Sequence, residues 1–169
     1  TDSGSFPTDS SQVNSGSHIS EVRNCYIQGF GVGMSISSGG GNQGDTIKAI
    51  NCRVRFCAVA FSVGNSQNRT TVFDRCLVHR VHTAFTNLRP NGSSSGGGNC
   101  GFITQNCQIV DSYQIYHIVG RIGTNNHVGN YSEFCGRLGN FDAASSSQQC
   151  PIPMVGCHWR FDPIPWGTG

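Results

Sequence analysis

The stretch NCRVRFCAVAFSV at residues 51–63 decides how the chain is read, because its layout recurs three more times. NCYIQGFGVGMSI begins at Asn24, RCLVHRVHTAFTN at Arg75 and NCQIVDSYQIYHI at Asn106. In each copy a cysteine is followed two residues on by an aliphatic side chain (Ile27, Val54, Val78, Ile109) and nine residues on by a large apolar one (Met34, Phe61, Phe85, Tyr116). The aligned Cys25, Cys52, Cys76 and Cys107 are 27, 24 and 31 residues apart, and Cys135 and Cys157 extend the series as degenerate members at 28 and 22. Unequal periods around a fixed internal pattern predict a solenoid whose loops vary while its rungs do not. Leucine-rich repeats need regularly placed leucines, and helical repeats need a 3.6-residue period; neither is present.

Within a unit the alternation is that of strands. With the cysteine inward, the positions two, nine and eleven residues on are inward too, giving a last column of Ile36, Val63, Asn87 and Ile118. The change of phase between the second and ninth positions predicts a corner. Gly33, Ala60 and Ala84, just before the large apolar column, mark a crowded bend. A further short strand is expected before each cysteine, around Val22, residues 47–50, residues 72–73 and residues 102–104. Polar loops are expected over 37–46, 64–71, 87–100 and 119–130, the first and third with Gly-Gly-Gly runs. No helix follows such a run to make it a phosphate cradle.

Outward from the repeats, residues 1–17 are polar and aperiodic and read as a lead-in or linker, and 18–149 read as the solenoid, of about five rungs. A worn fifth rung is placed at 132–141. The tail at 150–169 holds four of the six prolines and both tryptophans, so it is expected to cap the open end or join a further domain, with Trp159, Phe161 and Trp166 as the covering side chains. The opening on Thr1 without an initiator methionine reads as a processed or excised chain.

Composition narrows the classes. Of 169 residues 12% are charged and 23 are glycine, a balance that suits short strands and tight turns. A net charge of +2 without any Lys/Arg block excludes a phosphate-tracking nucleic-acid surface. No apolar run reaches membrane-spanning length. The cationic residues are arginines apart from Lys48, and arginine is the side chain for stacking and for bidentate pairing with carboxylates. The nine cysteines are odd in number and repeat-spaced, which predicts buried free thiols filling the core and folding in a reducing compartment. No Cys-x-x-Cys pair suggests zinc.

Three strands per turn, rungs of 22 to 31 residues, an aromatic stack and inward Asn/Cys positions resemble the right-handed parallel β-helix superfamily, an all-β solenoid class that includes pectate-lyase-like enzymes and bacteriophage tailspikes. The resemblance covers residues 19–118 well and the remainder poorly. It implies an asparagine ladder at Asn24, Asn51 and Asn106, broken by Arg75, Phe134 and Gly156. It also implies ligands lying along an outer strand face and, for a tailspike, a homotrimer.

That face carries the positions one and three after each cysteine, namely Tyr26 and Gln28, Arg53 and Arg55, Leu77 and His79, Gln108 and Val110. With the corner residues Arg80, His82 and Tyr113 it forms an Arg/His/aromatic strip. Aromatic rings stack on sugars and arginine pairs with uronate or sulfate, so the expected ligand is an acidic polysaccharide. Glycoside hydrolysis needs two facing carboxyl groups, and Asp74 and Asp111 are the candidates. His79 and His82 fall on opposite sides of a corner with no third ligand at chelating spacing, so neither a metal nor a cofactor is expected. Asn68, Asn91 and Asn130 head glycosylation sequons in expected loops. The functional expectation is a structural component of a virion or extracellular fibre, folded in a reducing cytosol before release. It would associate with itself or with other fibre subunits and offer this face to polysaccharide. The alternatives are a polysaccharide lyase or glycoside hydrolase of β-helix type, and an interaction-only repeat protein on a cell surface.

Overall fold

The computed structural model describes residues 20–35, 47–63, 71–88, 102–119, 126–142 and 153–161. The expected lead-in, most of the expected loops, Ile36, Cys100, Cys150, Trp166 and the sequons at Asn68 and Asn91 lie outside these residues. The strands are β1 (Ser20–Arg23), β2 (Tyr26–Gln28), β3 (Val32–Ser35), β4 (Ile47–Ile50), β5 (Arg53–Arg55), β6 (Val59–Ser62), β7 (Thr71–Asp74), β8 (Leu77–His79), β9 (Thr83–Thr86), β10 (Phe102–Gln105), β11 (Gln108–Val110), β12 (Gln114–Val119), β13 (Asn126–Val128), β14 (Tyr131–Cys135), β15 (Arg137–Asp142), β16 (Met154–Val155) and β17 (His158–Phe161). Among the described residues there is no helix.

Each strand pairs in parallel with its counterpart one turn away. The first sheet is β1-β4-β7-β10-β13-β16, the second β2-β5-β8-β11-β14-β17 and the third β3-β6-β9-β12-β15. The chain is therefore a parallel β-helix. The register places Ile27, Val54, Val78 and Ile109 in one column and Met34, Phe61, Phe85 and Tyr116 in another. A closed apolar core occupies the three turns β4–β6, β7–β9 and β10–β12, where Val54, Phe61, Phe73, Val78, Phe85, Phe102, Ile109 and Tyr116 are fully buried. Phe61 stacks on Phe85 at 5.4 Å between centroids and Phe85 on Tyr116 at 5.8 Å. Offset ring pairs of this kind add about 1 kcal/mol each beyond the area they bury. Gly33 sits where a Cβ would lie 2.5 Å from Val54 Cγ1 and 2.9 Å from the Ala60 carbonyl, so the expected crowding at that bend is present.

Two corners recur in each turn, five residues apart, and both use a backbone conformation that most side chains avoid. The first holds Asn24, Asn51, Arg75, Asn106, Gly129 and Gly156, and the second Gly29, Phe56, Arg80, Asp111 and Phe134, all with φ between 50° and 79°. The reward for this left-handed conformation is an unbroken hydrogen-bond ladder. Each corner amide from Asn24 to Asp111 donates to a strand carbonyl of the next turn, as Asn51 does to Asp74 at 2.9 Å and Phe56 to His79 at 3.2 Å. Asparagine and glycine tolerate the conformation, whereas other residues lose about 1–2 kcal/mol there. The asparagine ladder is thus on the outside of the corner and not inward. Asn24, Asn51 and Asn106 are exposed, with Asn51 Nδ2 donating to Asn24 Oδ1 at 2.8 Å.

All seven described cysteines directly follow a left-handed corner residue. Each is a free thiol whose Sγ lies 3.4–3.7 Å from the carbonyl two residues earlier, on the other side of the corner residue. Several reach the turn below as well, such as Cys76 to Ala49 at 3.4 Å and Cys107 to Phe73 at 3.4 Å. Burial pushes the Cys52 thiol up and Cys135 up to about 11, so these sulfurs stay protonated and donate. Neighbours confirm the role by substitution. At the first corner Asn130 replaces cysteine and its Nδ2 donates to the Thr104 carbonyl at 3.2 Å. At the second, Ser112 Oγ donates to Val110 at 3.1 Å.

This arrangement corrects the reading of the fifth unit. Tyr131 pairs with Gln108, so Asn130 and not Cys135 continues the Cys107 column. Cys135 belongs to the second-corner column with Cys57, Val81 and Ser112. Accordingly β13 lies inside the expected loop at 119–130. Asn130 is interior, bonded to Cys107 and Thr104, so its sequon is not a surface loop. The corner column is broken by Gly129, and Phe134 stands at the other corner.

Beyond the apolar turns the interior becomes polar, with His127, Asn130 and Ser132 buried and the first two bonded to Thr104. His127 Nδ1 is 2.7 Å from Thr104 Oγ1 and its ring lies 4.5 Å from that of Tyr116. In the tail, β16 and β17 add strands to the first two sheets, and Trp159 turns inward above Ser132. Gly139 occupies the aromatic column because any Cβ would run into Tyr116; the missing ring is replaced by Trp159, set edge-on to Tyr116 at 6.2 Å.

Replacing Arg75 by Asn puts a residue that tolerates the left-handed corner between Asn51 and Asn106. The ion pair it removes, to Asp74 at 3.0 Å, is exposed and contributes little. Urea unfolding of Arg75→Asn should show about 1 kcal/mol more stability than the wild type; a less stable variant would contradict the corner assignment. A second expectation concerns acid. Burial lowers His127 to about 4, whereas an unfolded histidine titrates near 6.5. Between those values the unfolded chain binds the extra proton, so stability present above pH 6.5 is lost as pH falls through the window, by on the order of 3 kcal/mol. His127→Gln should flatten the fall in unfolding free energy between pH 7 and 4; an unchanged slope would mean that His127 is not its source.

Candidate functional site

The second sheet is made of very short strands, three residues long from β2 to β11, so each turn presents two outward side chains framed by a corner at either end. Tyr26, Arg53, Leu77 and Gln108 align in one outward column, and Gln28, Arg55, His79 and Val110 in the other. The structure joins most of the expected strip into one contiguous surface. Tyr26 Oη donates to Gln28 Oε1 at 2.7 Å, and Arg55 Nε donates to the same oxygen at 3.0 Å. The Arg55 guanidinium lies over the Tyr26 ring at 5.2 Å. Arg53 is exposed between Tyr26 and Leu77.

At the centre of this surface is Phe56, which the sequence reading passed over. Its left-handed corner turns the ring outward, 47% exposed, although the residues on either side in the apolar pattern are buried. Arg55 stands 5.0 Å and Arg80 5.9 Å from the ring centre, and the His79 ring is 6.2 Å away. An exposed phenyl ring flanked by two guanidinium groups offers a stacking surface and anion-binding donors side by side. The signal that would have found Phe56 is its place five residues after Asn51.

His82 and Tyr113 form a separate group on the far side of the second corner, at the start of the third sheet. Their rings stack at 4.6 Å, and Arg137, also missed, covers Tyr113 at 4.9 Å while donating to Gln114 Oε1 through Nε and Nη2. Burial, then the Arg137 charge and His117, hold His82 below its ordinary value, so the stacked ring is neutral at pH 7.

The two carboxylates are not brought together. Asp74 ends β7 at the first corner, where Arg75 binds it. Asp111 is at the second corner one turn on, with Oδ2 3.2 Å from His79 Nε2 and 3.3 Å from Arg80 Nε. The two carboxylates thus stand at opposite corners of the second sheet, each bound by its own arginine, whereas glycoside hydrolysis requires two carboxyl groups facing one another across a single bond. Among the described residues no three His, Cys, Asp or Glu side chains converge as a metal site, and no helix is long and apolar enough to cross a membrane.

Fold and site together define a parallel β-solenoid with a cationic and aromatic strip on one sheet. No protein family, curated protein or solved structure matches the chain.

Proposed function

We propose that the protein is a rigid structural element of a virion or extracellular fibre, of the tailspike kind, that binds acidic polysaccharide along the outer face of its second sheet. The observation that carries the reading is Phe56 standing exposed between Arg55 and Arg80, with Tyr26 one turn away under the Arg55 guanidinium. A sugar ring stacks through its apolar face while arginine pairs with a carboxylate on its edge, and this surface supplies both contacts. The seven described cysteines, all free thiols bonded to carbonyls, favour folding in a reducing cytosol before release. Self-association as a trimer belongs to the same reading and is measured by light scattering. The alternative of a lyase or hydrolase draws on Asp74 and Asp111, whose separation gives it no support.

Titration calorimetry with polygalacturonate and with a neutral glucan should show binding of the first only, weakening with salt. Arg55→Ala should bind on the order of ten-fold more weakly, a loss of about 1.4 kcal/mol. Equal binding of both polymers, or an unchanged Arg55→Ala, would overturn the proposal.

A further inference from the structure

Among the described residues, Asp111 is the carboxylate bonded to the Arg55–Arg80 strip, and it sits at the place where a ligand carboxylate would be expected. One oxygen, Oδ2, meets both His79 Nε2 and Arg80 Nε, each a cationic or donor group of the preceding turn. An ionised carboxylate only accepts hydrogen bonds, so the His79 proton resides on Nε2 in this contact. The same Arg80 lies over the Phe56 ring, and the same His79 ring tilts against it at 55°. Asp111 therefore ends a line of groups that runs Tyr26, Arg55, Phe56, Arg80, and it neutralises the last of them. Past Asp111 the outward residues are Gln108 and Val110 in its own turn and Tyr131 and Glu133 in the next, where Glu133 Oε1 accepts from Arg160 Nη1 at 3.1 Å and the Arg160 guanidinium lies over Phe134 at 5.3 Å.

We infer that Asp111 is a built-in stand-in for the ligand's acid group, a carboxylate that holds His79 and Arg80 in the free protein, is displaced when a uronate occupies them, and so limits the anionic footprint to the turns of Arg55 and Arg80. The inference rests on the polysaccharide reading above and adds to it the ligand group, a carboxylate on a sugar ring, and the residue that competes with it. Arg55, which has a neutral partner in Gln28, is left available; Arg80 is not.

The position allows a clean test. Asp111 has φ 50°, and Asn is the side-chain-bearing residue that tolerates this conformation best, being used at three first-corner positions. Asp111→Asn keeps the corner, and equal thermal melting of variant and wild type checks that it does. Oligogalacturonate binding by calorimetry at low salt should then be roughly two- to five-fold tighter for Asp111→Asn than for the wild type, the scale of one exposed ion pair. In an Arg80→Gln background the same substitution should give no gain, an outcome that a purely structural effect of the corner would not produce. Wild-type binding with an unchanged or weaker Asp111→Asn overturns the inference alone. A gain that persists with Arg80→Gln also overturns it. Absence of binding by both chains overturns the polysaccharide reading and this inference together.

Discussion

The left-handed corner residue and the thiol that follows it are the constraint on which the rest of the solenoid depends. A parallel β-helix must turn its backbone sharply without abandoning the hydrogen-bond ladder, because a buried unpaired amide costs about as much as a lost hydrogen bond. Here the corner amides go on donating to the next turn, at 2.9–3.3 Å, while φ stays positive. The next side chain then has to enter a narrow angle. Cysteine is small and apolar enough to fit there, and its weak S–H reaches the carbonyl two residues back. Ser112 stands in the same position and makes that bond with its hydroxyl, while Asn130 donates instead to the Thr104 carbonyl of the preceding turn, as Cys107 does to Phe73. Steric fit at the inside of the corner therefore sets the residue size, and the nearby carbonyl favours a donor. Val81 shows that size alone suffices at one site.

The same corners place the candidate site. A three-residue strand between two corners exposes only two side chains per turn, so stacked turns produce two narrow outward columns. Phe56, Arg80 and Asp111 form the border of those columns, at backbone positions where outward projection is imposed by the left-handed conformation. The interior is apolar and aromatic beneath Arg55 and Arg80, in turns whose core is fully buried. Donor groups on a rigid sheet lose less entropy on binding than donors on a loop, which is the physical advantage of presenting a recognition face in this way.

Much of the fold was legible because its strongest signal is repetition. Cys52, Val54, Phe61 and Val63 recur with their equivalents in three other units, and the strands before each cysteine followed from the same alignment. The fifth turn was misplaced for a specific reason: Asn130 replaces the marker cysteine, and Cys135, a marker of the other corner, supplied a false match. The corners themselves were hidden by residue type. Arg75, Phe56, Arg80 and Phe134 give no local hint of positive φ, since the preference is overridden by the ladder they maintain. For the site, periodicity identified the outward positions, while the contacts among them depend on corner geometry that spacing does not encode. Hence Tyr26, Arg53, Arg55, His79 and Arg80 were found, Phe56 and Arg137 were not, and His82 with Tyr113 proved to belong to a neighbouring group on the third sheet.

The most direct measurement of this account is the backbone φ angle at the corners that lack Gly or Asn. Three-bond amide–Hα couplings and Cα chemical shifts, recorded by solution NMR for Phe56, Arg75, Arg80 and Phe134, report it residue by residue. Positive φ at all four, with amides protected from exchange at Phe56, Arg75 and Arg80, is the predicted result. Ordinary extended or right-handed values at these residues would contradict the shared corner, and with it the explanation of the cysteine columns and of the outward position of Phe56.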